Sequence, residues 1–287
     1  MRRNSLFKKK WSIPPGILFL MITLVIIVAS ALLAPVIVPV DLAATDLGSR
    51  LRPPAFLEHG SGFLLGTDNL GRDVAVRLLY ATRSTIMISF TGMIIATVIG
   101  TALGVIAGLC GGKVDAIISF FTDVRLSVPT TFIGIIFACI MGANPGTTVL
   151  VIAITGWSSF SRLVRSQIFQ LRNAKFIEAS RAMGAGGIRI VLEHILVNIA
   201  SPLIVQSTME LSAFILLEST LSFLGLGIQP PGTSLGVMVS NGRDYMLTHW
   251  WLAVAPSVVI VVLILQISLI GDWLRDKLDP KLKYGKR

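Results

Sequence analysis

The chain has 287 residues, 53% of them hydrophobic and only 14% charged, with a mean hydropathy of +0.79. A water-soluble globule of this size has no use for such an apolar excess, so soluble enzymes and soluble binding modules are set aside for a membrane protein. The net charge of +10 does not point to nucleic acid, because the basic residues cluster between long apolar runs instead of lining one soluble face.

A membrane helix needs about 20 mostly apolar residues to cross ~30 Å of hydrocarbon. The first such run, Ile13 to Val38, follows Arg2, Arg3, Lys8, Lys9 and Lys10. That start resembles a secretory signal, and Ala29-Ser30-Ala31 resembles a cleavage site, but the run outlasts a signal core of roughly 7–15 residues. A retained anchor is expected. The segment from Pro39 to Arg83 then carries a helix-compatible stretch, Leu70 to Thr82, with Arg72, Asp73, Arg77 and Tyr80. It reads as a helix lying on the membrane, or as part of a dock for an external protein. The second run, Ser84 to Leu109, contains Gly92, Gly100, Gly104 and Gly108. Small residues four apart let helices approach closely, either within this chain or across a dimer.

The third run, Ile117 to Met141, is interrupted by Asp123, Arg125 and Pro129, and the fourth, Thr147 to Phe160, is short. Asp123 and Arg125 either snorkel to the interface or line a cavity or gate. The fifth run, Ile199 to Leu224, holds Glu210 and Glu218, which lie ~12 Å apart on nearly one helical face. Both are expected to face protein or a solute pathway, since acids in an apolar helix rarely face lipid. The sixth run is Trp251 to Ile270.

Six spans with the N-terminus inside place residues 1 to 12, 110 to 116, 161 to 198 and 271 to 287 in the cytoplasm. These segments hold 18 of the 25 Lys and Arg, and the outer segments hold six, matched by six acids. The asymmetry is what basic retention on the inner side requires. Cys110 and Cys139 lie in or beside apolar runs and read as small packing residues. They and the scattered His59, His194 and His249 form neither a disulfide framework nor a metal-ligand spacing.

The inner stretch 161 to 198 reads as structured. Asn173 caps a helix, Ala174 to Met183, with Phe176, Ala179 and Met183 on one side, and Gly184 stops it. A second short helix fits Ile188 to Ile195. Periodicity alone leaves an interfacial amphipathic helix open for this segment.

Its residues carry a resemblance. Glu178-Ala179-Ser180-Arg181-Ala182-Met183-Gly184-Ala185, followed by His194-Ile195-Leu196, resembles the EAA loop of ATP-binding-cassette importer permeases. Gly66-Thr67-Asp68-Asn69-Leu70-Gly71-Arg72-Asp73, Glu218 to Gly227 with Pro230-Pro231, and Gly271 to Pro280 resemble signatures of one branch, the C-type permease of the dipeptide, oligopeptide and nickel family. Four ordered motifs from about residue 63 to residue 280 are far more specific than the loop alone. The chain departs from the family pattern at Ser180, where alanine is usual, and at Val197, where proline is usual. The second departure removes a helix stop.

The resemblance implies an all-α membrane protein of about six spans with a type I importer permease core. Residues 1–83 would form an anchor helix and external segment, residues 84–272 the core with its EAA loop at about 173–197, and residues 273–287 a basic cytoplasmic tail. It assigns Glu178, Ala179, Ser180, Met183 and Gly184 to coupling with an ATPase. Asp123, Arg125, Glu210 and Glu218 remain the cavity or gate candidates. The implied partners are a second permease subunit, two cytoplasmic ATPase subunits carrying ATP and magnesium, an external solute-binding protein and lipid, with no cofactor on this chain. The implied location is the bacterial inner membrane with both termini cytoplasmic.

Gly111-Gly112-Lys113-Val114 falls short of a P-loop, with Ala107 at the first glycine position and Val114 in place of a hydroxyl residue. The chain is therefore expected not to hydrolyse ATP. A secondary transporter or channel is the rival class, and a membrane enzyme has no reactive constellation to build on. Di- or oligopeptide is the expected cargo on family breadth, with nickel, metal chelates and opines as alternatives.

Overall fold

A computed structural model describes residues 13–57, 62–172 and 174–278. The basic head, Glu58, His59, Asn173, which was expected to cap a helix, and residues from Asp279 onward lie outside the described residues.

The described chain is built from helices, with one isolated antiparallel bridge between Thr67 and Asp73. Helix α1 (Pro15–Leu32) begins with proline in its first turn, where a missing N–H costs nothing. Half of its residues are exposed and within it only Ala31 is buried, as suits a lipid-facing anchor. Gln266 Nε2 donates to Thr23 Oγ1 at 2.8 Å and ties it to the last helix. The short α2 (Ala34–Ile37) follows, and Tyr80 Oη donates to the Val38 carbonyl at 2.9 Å.

Helix α3 (Val74–Cys110) runs unbroken for 37 residues, or ~55 Å at 1.5 Å per residue. The expected surface helix at Leu70 to Thr82 is thus not a separate element. Asp73 caps α3, accepting from the Ala75 and Val76 amides at 2.7 and 3.3 Å, and most of the stretch forms the first turns of the span. With a good cap and no breaker before Gly111, nothing in the sequence stops that helix at the membrane surface.

Helices α4 (Gly112–Ser127) and α5 (Thr130–Met141) meet at 90°. Val128, forced from helical geometry by Pro129, is extended at φ −98°, ψ 124°. Neither piece crosses the hydrocarbon alone, at ~24 Å and ~18 Å. Five other helices or helical runs are long and apolar enough to cross, and the bent pair makes six. Helix α6 (Pro145–Leu171), capped by Asn144 Oδ1 accepting from the Thr147 amide at 2.9 Å, extends the expected fourth span by three turns.

Helix α7 (Lys175–Ala182) precedes α8 (Gly187–Ile190), a π turn (Val191–Ile195) and α9 (Leu196–Phe223). The expected free-standing helix at Ile188 to Ile195 is instead the foot of one helical run. With Val197 where a proline stop is usual, the backbone continues into the fifth span. Helices α10 (Leu235–Arg243) and α11 (Trp251–Leu278) complete the fold, so residues 273–278 are the last turns of α11 and not a separate tail.

The glycines of α3 face α6. A Cβ on Gly100 would lie 2.4 Å from the Trp157 carbonyl oxygen, one on Gly104 2.7 Å from that of Ser161, and one on Gly108 2.8 Å from Ile168 Cβ. Their role is therefore an intrachain seam. The cysteines, expected to pack, are both free and exposed in the isolated chain.

The seam yields a direct test. Gly100→Leu should lower the detergent-solubilised protein's unfolding midpoint, with an overpacking cost on the order of 1–3 kcal/mol or more. Gly16→Ala, where nothing lies within 4 Å of the added carbon, should leave it unchanged.

Candidate functional site

The α7 end of the bundle is built on isoleucine. Ile177 is fully buried in a cluster with Val164, Ile168, Ile190, Ile195 and Ile199, contributed by α6, α8, the π turn and α9. Residues three apart share a helix face, so burying Ile177 also turns Ser180 inward, where it is 6% exposed. Phe176, Glu178, Ala179 and Met183 are exposed, Met183 at 82%. Gly184 ends α7 at φ +85°, a left-handed conformation that glycine adopts without strain. The Ala185 amide then closes back on the Ser180 carbonyl at 3.0 Å.

Of the five residues assigned to coupling, three lie on the open face, Gly184 shapes the turn and Ser180 faces inward. Ser180 Oγ sits 3.1 Å from His194 Nε2, and the Phe176 ring meets the imidazole edge to face at 6.1 Å. Ile177, which the amino-acid order did not single out, lies three residues before Ser180 and shares its inward side.

Beside this knob, the end of α6 pairs with α4. Arg165 grips Asp115 with both Nε and Nη2, the latter at 2.7 Å from Oδ2, and Arg162 Nη2 donates to Asp123 at 2.9 Å. Arg165 and Arg172 flank the Phe169 ring at 4.7 and 4.8 Å.

The four cavity or gate candidates do not converge. Asp123 is engaged at the surface by Arg162, its side chain 71% exposed. Arg125, two residues on, is half-buried at the α4–α5 break, where Nη2 donates to Thr130 Oγ1 at 3.1 Å. Its Nε has no hydrogen-bond partner among the described residues, and the charge of Glu210 on α9 bears on it. Glu210 is half-buried and accepts from Gln206 Nε2 at 2.9 Å. Glu218 is fully buried and faces protein: Ser222 Oγ donates to it at 2.7 Å, and the hydroxyls of Thr85, Ser219 and Ser234 surround it. A shared helical face does not give two acids eight residues apart a shared environment.

The other end of the bundle is organised by Asp68, within the Gly66 to Asp73 motif. Its Oδ1 accepts from the Leu70 and Arg72 amides at 2.8 and 3.0 Å. Its Oδ2 accepts from Arg72 Nε at 2.8 Å and from Arg77 Nη1. Arg77 also reaches Thr233 Oγ1 at 3.3 Å, so the motif is pinned to the α9–α10 loop. Gly71, at φ +76°, packs so tightly that a Cβ would fall 1.7 Å from the Asp46 carbonyl oxygen. Burial pushes the Asp68 carboxyl up, but the Arg72 amide, the Arg77 charge, the Leu70 amide and the Arg72 side chain outweigh it and hold it below the usual carboxylate range.

With this geometry in place, the chain was compared with known proteins. Residues 100–284 match the family model described as binding-protein-dependent transport system inner membrane component. The chain is 39% identical over 96% of its length to the dipeptide transport system permease protein DppC of Haemophilus influenzae, covering 93% of that protein. It is 38% identical over 93% of its length to the di/tripeptide transport system permease protein DppC of Pseudomonas aeruginosa, covering 88% of it. In fold it resembles a chain of the inward-facing MetNI methionine ABC transporter, with a TM-score of 0.59 at 19% identity over 70% of this chain and 96% of the other.

The Asp68 network makes a pH-dependent prediction. Because its folded pKa is depressed, the carboxylate's contribution to stability is complete above the unfolded value of about 4 and is lost as pH falls below it. Asp68→Asn, which leaves the buried Arg77 without its counter-charge, should cost about 3–5 kcal/mol at neutral pH. Unfolding midpoints in detergent from pH 3 to 7 should show the wild type converging on the variant as acid is added.

Proposed function

The chain belongs to the family of binding-protein-dependent transport system inner membrane components and is a multi-pass permease subunit of an ATP-driven importer; from that premise we propose that it carries di- or oligopeptides and that α7 is the surface through which separate ATPases drive it. The cargo rests on the peptide permeases named above, which match nearly the whole chain. The coupling surface rests on one observation: an apolar row of Phe176, Ala179 and Met183 lies open beside the exposed Glu178, on a helix anchored from behind by Ile177. Such a row fits a partner groove, and a carboxylate beside it takes a basic or backbone donor at the rim.

The energy source in this reading is two ATPase subunits holding ATP and magnesium. Gly111 and Gly112 make a left-handed turn between α3 and α4 and carry no P-loop sequence around Lys113. A second permease completes the pathway, and an external binding protein delivers cargo. Both termini and the α7 end face the cytoplasm, a placement supported by Arg162, Arg165, Arg172, Lys175 and Arg189 gathering at that end. Within the spans, Arg125 at the α4–α5 break and Glu210 on α9 are the gate residues, since both are half-buried while Asp123 is engaged at the surface and Glu218 is sealed among hydroxyls.

Two experiments test this reading. Glu178→Lys should leave the protein in the membrane, reduce recovery of ATPase subunits from mutant membranes, and lower peptide uptake at least tenfold, a loss of about 1.4 kcal/mol in coupling. Wild-type recovery together with wild-type uptake would refute the role. A topology reporter fused after Lys175 should behave as internal and one after Leu57 as external; an external signal at Lys175 removes α7 from reach of any cytoplasmic ATPase.

A further inference from the structure

Helix α7 is attached to the bundle by short linkers, one on either side of its eight residues, and by what its inward face touches. Ile177 supplies apolar contact, which is non-directional. Among the described residues, the hydrogen bond between Ser180 and His194 at 3.1 Å is the one side-chain hydrogen bond that α7 makes. It carries direction, because its strength depends on how α7 is rotated about its axis.

His194 is not on a loop. It sits in the π turn Val191–Ile195, whose cap residue Leu196 opens α9, and that helix continues to Phe223. The Ile195 and Ile199 side chains that follow it are buried in the same cluster as Ile177. Movement of α7 therefore reaches the foot of a helix long enough to cross the membrane, through a backbone that is helical from Gly187 onward and meets its first proline, Pro202, inside α9. The Ser180 hydroxyl adds one directed contact with His194 to the apolar packing of Ile177. Either partner donates, according to the imidazole tautomer.

We propose that Ser180 and His194 are a positioning pair that transmits displacement of α7 to α9, setting how much uptake each ATP hydrolysed produces. The proposal rests on α7 being the ATPase-facing helix, but concerns the side of α7 turned away from the ATPase. The pair is separate from the docking contact through Glu178 and Met183.

The test uses proteoliposomes containing the full complex, with this chain, its sister permease, both ATPases and the external binding protein, and a labelled dipeptide. Ser180→Ala and His194→Leu should still recover the ATPases on purification. Uptake per ATP hydrolysed should fall roughly fivefold in each, within the range one net hydrogen bond spans. The double variant should be no worse than either single one, because both remove the same bond. His194→Gln, whose amide nitrogen and oxygen extend as far as Nε2, should restore at least half of the wild-type ratio.

Wild-type uptake per ATP in Ser180→Ala would overturn the proposal, as would a His194→Gln ratio no better than that of His194→Leu. Loss of ATPase recovery in Ser180→Ala would also overturn it, by making Ser180 a docking residue while leaving α7's ATPase-facing role intact. That role fails separately, if Glu178→Lys keeps both ATPase recovery and uptake. If His194→Leu does not fold, the comparison of Ser180→Ala with His194→Gln decides the matter alone.

Discussion

The close approach of α3 and α6 is the contact on which the other placements depend. Where glycine leaves no side chain, backbones and short carbonyl-to-carbon contacts replace interdigitated side chains, and the helices lie against one another over most of their length. In lipid there is little hydrophobic drive between helices, so such packing has to come from shape. The seam brings Ile168 against Gly108 and so places the ends of α3 and α6 together. From that common end, α4 turns back far enough for Asp115 and Asp123 to meet Arg165 and Arg162. The same juxtaposition exposes the Val164 and Ile168 side of α6 to the foot of α9, which creates the nest that receives Ile177.

Helix α9 links this end to the other. At its foot it offers Ile195 and Ile199 to α7; near its far end Glu218 is enclosed by hydroxyls from α3, α9 and the loop leading to α10. That loop is held in turn by Arg77, whose partner Asp68 organises the segment before α3. One continuous helix therefore joins a surface suited to a driving partner with a buried polar network on the opposite side of the membrane. On the proposed reading, the chain turns a difference in ATPase affinity for two arrangements of α7 into two arrangements of the spans; a partner that bound both equally would shift nothing.

Much of this was legible in the amino-acid order. Apolar runs of sufficient length had to become membrane helices, because an unpaired backbone in hydrocarbon is too costly. The glycine spacing in the second run announced a close helix contact, and Gly184 announced the end of α7. The stripe of Phe176, Ala179 and Met183 came out exposed together, as their spacing requires.

Other features were decided only by the tertiary structure, for a common reason: a linear sequence names residues capable of an interaction without naming the partner. Glu210 and Glu218 share a helical face, yet one is half-buried with Gln206 as its hydrogen-bond partner and the other is sealed among hydroxyls drawn from α3, α9 and the α9–α10 loop. The third run carried Pro129, but the 90° turn depends on where α4 and α5 each find α6. Helix continuity from Val74 through Thr82 into the second span, and from Ile188 into the fifth, was settled by a missing breaker together with packing on both sides. Periodicity fixes which residues of a helix lie together, so the sequence determined the spans, the seam and the face of α7. Which neighbour each face meets depends on contacts between residues far apart in the chain, and those alone turned Ser180 toward His194 and Asp68 toward Arg77.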